Sequence, residues 1–198
     1  QARFWRKLLR GRNGADAEVS FSNLEDIVAL VRRGKTGKKM PLPGGWLLKC
    51  EYEALLLHRP DETAHAAFSH ALPLPGQCLL PDGARIVAGV CETRPVIAGA
   101  KDEACFSLAA LTLPLTVRTR LPGDVFRPAG GIGGKKLKAF FIDVKVPQRL
   151  RDGWPLVCDE AGILWLPGLR ATQRDEAGGP WLLLKRINRE DKEYAPGY

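Results

Sequence analysis

The segment from Arg118 to Arg151 constrains this chain most strongly, because high charge and an ordered pattern coincide there. It reads RTRLPGDVFRPAGGIGGKKLKAFFIDVKVPQRLR, and its net charge of +7 nearly equals the +8 of the whole chain. Positive charge gathered on one ordered element typically faces a polyanion. We therefore predict a nucleic-acid partner, with a merely solvated basic surface as the alternative. The basic residues are Arg118, Arg120, Arg127, Lys135, Lys136, Lys138, Lys145, Arg149 and Arg151.

A glycine-rich turn followed by a helical pattern occupies the middle of this segment. The apolar residues between Lys135 and Val144 recur at helical spacing, so we expect them to share one buried face. We expect the glycine-rich loop to lead into this helix and to present free backbone N–H groups and lysines to phosphates. A turn without a ligand is the alternative. GGIGGKK is not a nucleotide-binding phosphate loop, since that motif requires Ser or Thr after the lysine. The apolar face comprises Leu137, Phe140, Phe141 and Val144.

A second basic region lies in residues 1–60, which carry twelve basic and six acidic residues. Apolar spacing predicts a helix over residues 22–33, and the alternation in WLLKCEY predicts a hairpin. At the end of the helix, Arg32, Arg33 and Lys35 are further candidates for binding the same polyanion. The helix residues expected on the buried face are Leu24, Ile27, Val28 and Val31.

The rest of the chain has the pattern of a β-rich domain. Between residues 70 and 117, short apolar runs are broken by Pro, Gly and Asp, and LVCD, ILWLPG and WLLLKRI follow downstream. Such runs are typical of strands in an all-β or α+β fold. Trp154, Trp165 and Trp181 lie in these apolar contexts, so we expect them in the core rather than on a base-stacking surface.

Several kinds of chemistry find no support in the sequence. His58, His65 and His70 lack a metal-ligand spacing, and no G-x-S-x-G nucleophile motif occurs. We expect no catalytic residue and no metal site. The five cysteines include no C-x-x-C pair, which favours buried thiols in a reducing cytoplasm. No apolar run approaches the ~18 residues of a membrane span. The oligomeric state stays open, a homodimer included.

The motifs of the basic segment follow one another in the order of a known family. The pattern R-x-R-x-x-G-D-x-F-x-P precedes KKLK, FFID-x-KVP, R-D-x-W-P-L-V and W-x-P-G. In this order they resemble the C-terminal domain of the tRNA(Ile)-lysidine synthetase family. Upstream, SNLEDIVALVRRGKTGKKMPLPGGWLLKCEYEALLL is similar to the end of that family's central tRNA-binding domain. The first resemblance is carried by Arg118, Arg120, Gly123, Asp124, Phe126, Pro128, Lys135–Lys138, Phe140–Asp143, Lys145–Pro147, Arg151, Asp152, Trp154–Val157 and Trp165–Gly168.

The resemblance implies a part of an ATP-dependent ligase that attaches lysine to C2 of the wobble cytidine of isoleucine tRNA, which has a CAU anticodon. In the family, catalysis belongs to an N-terminal ATP-pyrophosphatase domain with an S-G-G-x-D-S loop, and this sequence has no such loop. We therefore expect this chain to bind tRNA without catalysing the reaction and to hold no cofactor itself. ATP and Mg²⁺ would belong to the other domain. Since the chain begins at Gln1 rather than Met, we expect it to be the C-terminal part of a longer cytoplasmic protein.

The implied fold is α+β. Residues 1–60 would be the end of the central domain, made of helices and a hairpin. Residues 61–198 would be a compact β-sandwich-like domain with flanking helices, similar to a domain of the phenylalanyl-tRNA synthetase β subunit. Two other functions stay open: a generic RNA-binding or interaction domain of another RNA-modifying protein, and a free-standing enzyme with an unrecognised site.

Overall fold

The computed structural model describes residues 21–33, 36–52, 54–58, 67–97, 101–131, 133–174 and 178–188, with only the backbone described for Phe21, Arg33 and Gly44. The described chain is mostly β-sheet with few helices. It divides into two compact units, and each is described by itself. The first unit contains the described residues of 1–65 together with 145–150, and the second contains those of 66–144 and 151–198.

The first unit consists of one amphipathic helix and a three-stranded antiparallel sheet in the order β1-β2-β3. The helix and the hairpin expected from the sequence are confirmed. The expected buried face is not confirmed for Val28, which is half-buried, or for Val31, which is 44% exposed. The buried face runs instead through Leu24, Ile27 and Leu30, which pack with Trp46 and other residues of the sheet. The elements are α1 (Phe21–Arg33), β1 (Lys39–Leu42), β2 (Trp46–Glu51) and β3 (Ala54–His58).

The second unit contains three antiparallel sheets. A five-stranded sheet has the order β13-β12-β11-β8-β4, a four-stranded sheet has the order β5-β6-β14-β7, and β9 pairs with β10. The strands are β4 (Ser69–Leu72), β5 (Gly76–Leu79), β6 (Arg85–Cys91), β7 (Glu103–Ser107), β8 (Leu115–Arg118), β9 (Val125–Phe126), β10 (Lys135–Lys136), β11 (Leu156–Asp159), β12 (Gly162–Leu166), β13 (Arg170–Ala171) and β14 (Trp181–Ile187). The helices are α2 (Leu137–Asp143) and α3 (Gln148–Arg151), the latter at the boundary between the two units.

A single cluster of buried side chains draws on both larger sheets of the second unit. Ile86 of β6 and Leu182 of β14 belong to it, as do Val117 of β8 and Leu164 of β12. Each of these four is fully buried. Alternating side chains point to one face of a strand, so each sheet presents an apolar surface to this cluster. Burying such a side chain contributes about 1.5 to 3 kcal/mol, which makes the cluster the main apolar contribution to this unit.

The helix that the sequence placed over Lys135–Val144 is shorter than expected. It begins at Leu137, because the two preceding lysines form β10. It ends at Asp143, so Val144 lies past the last turn and is 41% exposed rather than part of the buried face. Leu137, Phe140 and Phe141 are buried as expected. The glycine-rich loop therefore connects two strands and does not lead directly into a helix.

Candidate nucleic-acid interface

The glycine-rich loop closes a short β-hairpin. Phe126 pairs with Lys135 and Val125 with Lys136, so residues 127–134 form the connection. Gly133 has a φ of +73°, a conformation that side chains disfavour. At Gly134, a Cβ atom would lie 2.8 Å from Cγ1 of Val125. The glycines are thus required by the geometry of the hairpin, which accounts for the loop without a bound nucleotide.

The loop is fastened to the larger sheet by three contacts. Oγ1 of Thr172 donates a hydrogen bond to the carbonyl of Arg127 at 2.6 Å. The N–H of Ala129 donates to the carbonyl of Ala171 at 3.0 Å, and Pro128 forms a β-bridge with Thr172. A basic loop held in this way is pre-organised, so less conformational entropy is lost when its side chains bind a ligand.

Four aromatic rings pack together under the hairpin and α2, on the side away from solvent. Phe126 meets Phe140 edge-on with ring centroids 4.9 Å apart, and Phe141 lies 6.1 Å from Trp154. Phe126 and Phe141 are fully buried. The indole N–H of Trp154 donates to the carbonyl of Pro167 at 3.1 Å. The core expectation is confirmed for Phe140 and Phe141, whereas Trp154, also expected in the core, is only half-buried and its indole N–H is satisfied.

Arg118 and Asp124 form a bidentate ion pair at the base of the hairpin. The two guanidinium nitrogens lie 2.8 and 2.9 Å from the two carboxylate oxygens, and the N–H of Leu121 donates to the same carboxylate at 2.7 Å. Burial alone would raise the pKa of Asp124, but these hydrogen bonds hold it below its ordinary value. The carbonyl of Asp124 also accepts the N–H of Leu137 at 2.8 Å, which occupies the first amide of α2. The expected free amides of a helix start are therefore not found at this residue.

The basic side chains most accessible to a ligand lie on the hairpin and on α2. Arg127, Lys136 and Lys138 are exposed, and none of them forms an ion pair with another residue that the structure describes. Nζ of Lys135 lies 2.6 Å from a carboxylate oxygen of Asp143, with both side chains about half exposed. An exposed pair of this kind contributes at most about 1 kcal/mol. Lys135 can therefore exchange Asp143 for a phosphate at little cost.

Three other cations of the basic segment have different surroundings. Nε of Arg120 donates to Asp152 at 2.6 Å, and this pair remains partly exposed. Lys145 is exposed and has a φ of +57°, a left-handed conformation directly after the end of α2. Arg151 is half-buried. Of these three side chains, Lys145 is the most accessible to a ligand.

The basic residues of the first unit do not form one exposed group. Nζ of Lys49 lies 2.8 Å from the buried carboxylate of Glu51, and Nε of Arg149 lies 3.3 Å from the other oxygen of that carboxylate. The Arg149 contact is an ion pair without hydrogen-bond geometry. Arg32 is exposed on α1. The side chain of Arg33 and the whole of Lys35 lie outside the described residues.

The cysteines of the chain are free thiols, and most of them are buried. Cys50, Cys78 and Cys158 are buried, whereas Cys91 and Cys105 are only partly so, and all five are free thiols. Burial raises the pKa of Cys158 to about 11, which keeps this thiol protonated at neutral pH. In the described part of the chain, no three His, Cys, Asp or Glu side chains come together as metal ligands. Every helix in the described ranges is too short or too polar to cross a membrane.

A polar cleft next to the glycine-rich loop was not predicted from the sequence. It encloses about 300 Å³ and is lined by Arg94, Thr172, Arg174 and Trp181, among others. The two arginines lie in stretches whose net charge is negative, so a charge map of the sequence does not single them out. Only the pairing of distant strands brings them together.

Comparison with known proteins gives consistent matches. Residues 115–183 match the model of the TilS substrate C-terminal domain. The tRNA(Ile)-lysidine synthase of Geobacillus kaustophilus is 35% identical over 82% of this chain and 35% of that protein. The enzyme of that name from Oceanobacillus iheyensis is 33% identical over 77% of this chain and 33% of that protein. A crystal structure of a TILS C-terminal domain is 35% identical, with a TM-score of 0.57, and covers 63% of this chain and 98% of its own. The chain thus spans about a third of the length of the two synthases.

Proposed function

This chain belongs to the family of TilS C-terminal domains, and we propose that it is the tRNA-binding part of a tRNA(Ile)-lysidine synthase. In this proposal the whole protein uses ATP to join lysine to the wobble cytidine of isoleucine tRNA with a CAU anticodon. Neither ATP nor Mg²⁺ fits the described residues, because Lys136 stands where a phosphate loop requires Ser or Thr and no acidic cluster is present among them. We assign no step of the reaction to this chain. Its contribution is binding.

The observation that carries this proposal is the exposed basic hairpin on a rigid base. A-form RNA is recognised mainly through phosphates, 2′-hydroxyls and shape. That task needs cations at fixed positions rather than a pocket for one base. The hairpin presents Arg127 and Lys136, and α2 presents Lys138, while the aromatic rings beneath hold both elements in place.

Exposure divides the candidate residues that the structure describes into two groups. We propose that the exposed side chains contact tRNA phosphates and that the half-buried, ion-paired ones stabilise the fold. Arg118 belongs to the second group because its guanidinium is occupied by Asp124, and Arg149 belongs there because it faces Glu51. The proposed contacts are Arg127, Lys135, Lys136 and Lys138 on the second unit and Lys145 on the first, with Arg32 as a further candidate on the first unit.

The finer description of the fold is also a proposal. The cluster shared by the two larger sheets supports a β-sandwich-like domain over residues 61–198, with residues 1–60 as the end of a preceding tRNA-binding domain. We propose a cytoplasmic protein, in keeping with the family's substrate. Size measurement in solution would decide between a monomer and a homodimer.

A salt titration with a double variant tests the proposed contacts. Lys136→Ala/Lys138→Ala removes two exposed cations, and Lys101→Ala/Lys185→Ala is the charge-matched control elsewhere in the second unit. Each phosphate contact contributes about 0.7 to 0.9 to the slope of log affinity against log salt. The double variant should therefore bind tRNA more weakly and lower the slope by about 1.4 to 1.8 units. The control should change neither quantity by a comparable amount.

Two outcomes would count against the assignment. Equal slopes for the two double variants would mean that tRNA responds only to net charge. An unchanged affinity of Lys136→Ala/Lys138→Ala would mean that the hairpin is a solvated surface. A thermal melt of each variant shows whether it is folded, and we expect no loss because both lysine side chains are exposed.

A further inference from the structure

Arg127 begins the loop that closes the β9–β10 hairpin, and its side chain is exposed. Directly before it, Phe126 is fully buried and pairs with Lys135. Directly after it, Pro128 forms a β-bridge with Thr172. The backbone of Arg127 is therefore held on both sides, although its side chain remains accessible to a ligand.

The side chain of Thr172 connects Arg127 to the core of the second unit. Its Oγ1 donates a hydrogen bond to the carbonyl of Arg127 at 2.6 Å. Its backbone N–H donates to the carbonyl of Leu164 at 2.7 Å, and Leu164 is fully buried in β12. Because Thr172 is itself only 7% exposed, water competes little for its hydroxyl group. Thr172 thus links the peptide group of Arg127 to a strand that is fixed in the core.

Gly134 limits the direction that the Arg127 side chain can take. A Cβ atom added at Gly134 would lie 3.1 Å from Cγ and 3.4 Å from Nε of Arg127. The arginine side chain therefore passes close over the backbone of Gly134 on the opposite arm of the loop. The φ of Gly134 lies outside the left-handed region, so an alanine there would displace Arg127 without straining the backbone.

A guanidinium group with a fixed origin and a limited direction suits a phosphate group. Its planar fork offers two parallel N–H groups to two phosphate oxygens, which a lysine ammonium cannot do. In the described part of the chain, no carboxylate forms an ion pair with Arg127. Because the side chain is already positioned, less conformational entropy is lost when it binds.

We propose that Thr172 and Gly134 are positioning residues for tRNA binding, which place the guanidinium of Arg127 for a bidentate contact with one phosphate group. This inference rests on the proposed function and identifies a cation whose geometry matters in addition to its charge. Lys136 and Lys138, in contrast, contribute as single charges on flexible stems. The ligand is the RNA backbone, so the contact selects no base.

A double-mutant cycle, measured as tRNA binding by the full chain, tests this assignment. Thr172→Val removes the hydroxyl group and should weaken binding by about threefold to tenfold. The slope of log affinity against log salt should stay unchanged, since no charge is lost. In an Arg127→Ala background, the same substitution should change the affinity by less than about twofold, because the side chain that it positions is absent. Equal losses in both backgrounds would overturn the assignment.

Two further variants separate positioning from stability. Thr172→Ser keeps the hydroxyl group and should bind tRNA like the parent. Ser107→Ala is the matched control, since Oγ of Ser107 is buried and donates to the carbonyl of Gly178 in another loop at 2.7 Å. This control should not change the affinity. If it weakened binding as much as Thr172→Val does, general stability would explain the loss and the positioning role would be overturned.

The geometry of the phosphate contact is tested by two substitutions in the loop. Arg127→Lys keeps the charge but not the fork, so it should retain the salt slope and lose most of the affinity that Arg127→Ala loses. Gly134→Ala should weaken binding about as much as Thr172→Val, whereas Gly89→Ala on β6, where an added Cβ meets open space, should not. If Arg127→Lys binds like the parent, only charge matters and the bidentate contact is overturned.

The failures of the two proposals are distinguishable. Unchanged tRNA binding by folded Thr172→Val and Gly134→Ala would overturn the positioning role and leave the proposed function intact. No binding of tRNA by the parent chain would overturn the proposed function together with this inference. A thermal melt shows whether each variant is folded, and if Thr172→Val is not, the same cycle of Gly134→Ala with Arg127→Ala decides the question.

Discussion

Replacing Asp124 by Asn tests whether its partner Arg118 stabilises the fold or binds RNA. The Asp124 carboxylate is 12% exposed and the Arg118 side chain 17%, and three hydrogen bonds converge on this carboxylate. Breaking a fully buried pair costs about 3 to 5 kcal/mol. Because both side chains retain some contact with water and Asn keeps one acceptor oxygen, we expect Asp124→Asn to lower the free energy of unfolding by about 2 to 3 kcal/mol.

The pH dependence of stability gives a second prediction for this pair. The pKa of Asp124 in the folded chain lies below its ordinary value of 3.8. A lowered pKa in the folded state stabilises the fold above that ordinary value, and the contribution is lost as the pH falls through the lower folded pKa. The parent chain should therefore lose more stability than Asp124→Asn when the pH is lowered from neutral through 3.8 and then through the lower pKa of the folded state.

Urea unfolding at neutral pH measures the cost, and Asp152→Asn is the matched control. The Asp152 pair with Arg120 is far more exposed, so its loss should cost less than about 1 kcal/mol. The RNA affinity of folded Asp124→Asn should equal that of the parent. The reasoning would be wrong if Asp124→Asn were no less stable than Asp152→Asn, or if it stayed folded and yet bound tRNA weakly.

Three further predictions follow from the same geometry. Phe141→Ala should lower the stability of the second unit by about 3 to 5 kcal/mol through a cavity, and a variant that melts like the parent but binds RNA weakly would instead place this ring in the binding site. Cys158 should resist alkylation at pH 8 in the folded chain, and rapid labelling without unfolding would contradict its burial. Because burial raises the pKa of Cys158 from 9.0 to about 11, the free energy of unfolding should fall as the pH rises from 9 towards 11. The chain alone, incubated with tRNA, ATP and labelled lysine, should leave the tRNA unlabelled. Label above the level without protein would refute the proposal that this chain binds tRNA without catalysing the reaction.

Local patterns in the sequence were sufficient for the features that depend on one element. The apolar spacing of α1, the apolar run of β14 and the buried face of α2 each follow from the local pattern of side chains. The errors lie at the ends of these patterns. Val31 and Val144 match the helical spacing, but Val31 lies in the last turn of α1 and Val144 lies past the end of α2, and both side chains are exposed.

Features that depend on distant residues were not predictable in the same way. The sequence does not show that Lys135 and Lys136 pair with residues 125–126, which turns an expected helical start into a strand. Nor does charge alone reveal that Arg118 forms an ion pair with Asp124 while Lys136 is exposed. A count of basic residues locates the surface, and only the three-dimensional arrangement divides those residues into structural and available cations.

We propose that the β9–β10 hairpin and α2 contact tRNA directly. Titrating tRNA into the isotope-labelled chain and following backbone amide signals tests it at residue resolution. We expect the largest changes at residues 125–138, and we expect them to disappear at high salt, since phosphate contacts dominate. Changes confined to the first unit or to the far side of the second, with the signals of Lys136 and Lys138 unmoved, would contradict it.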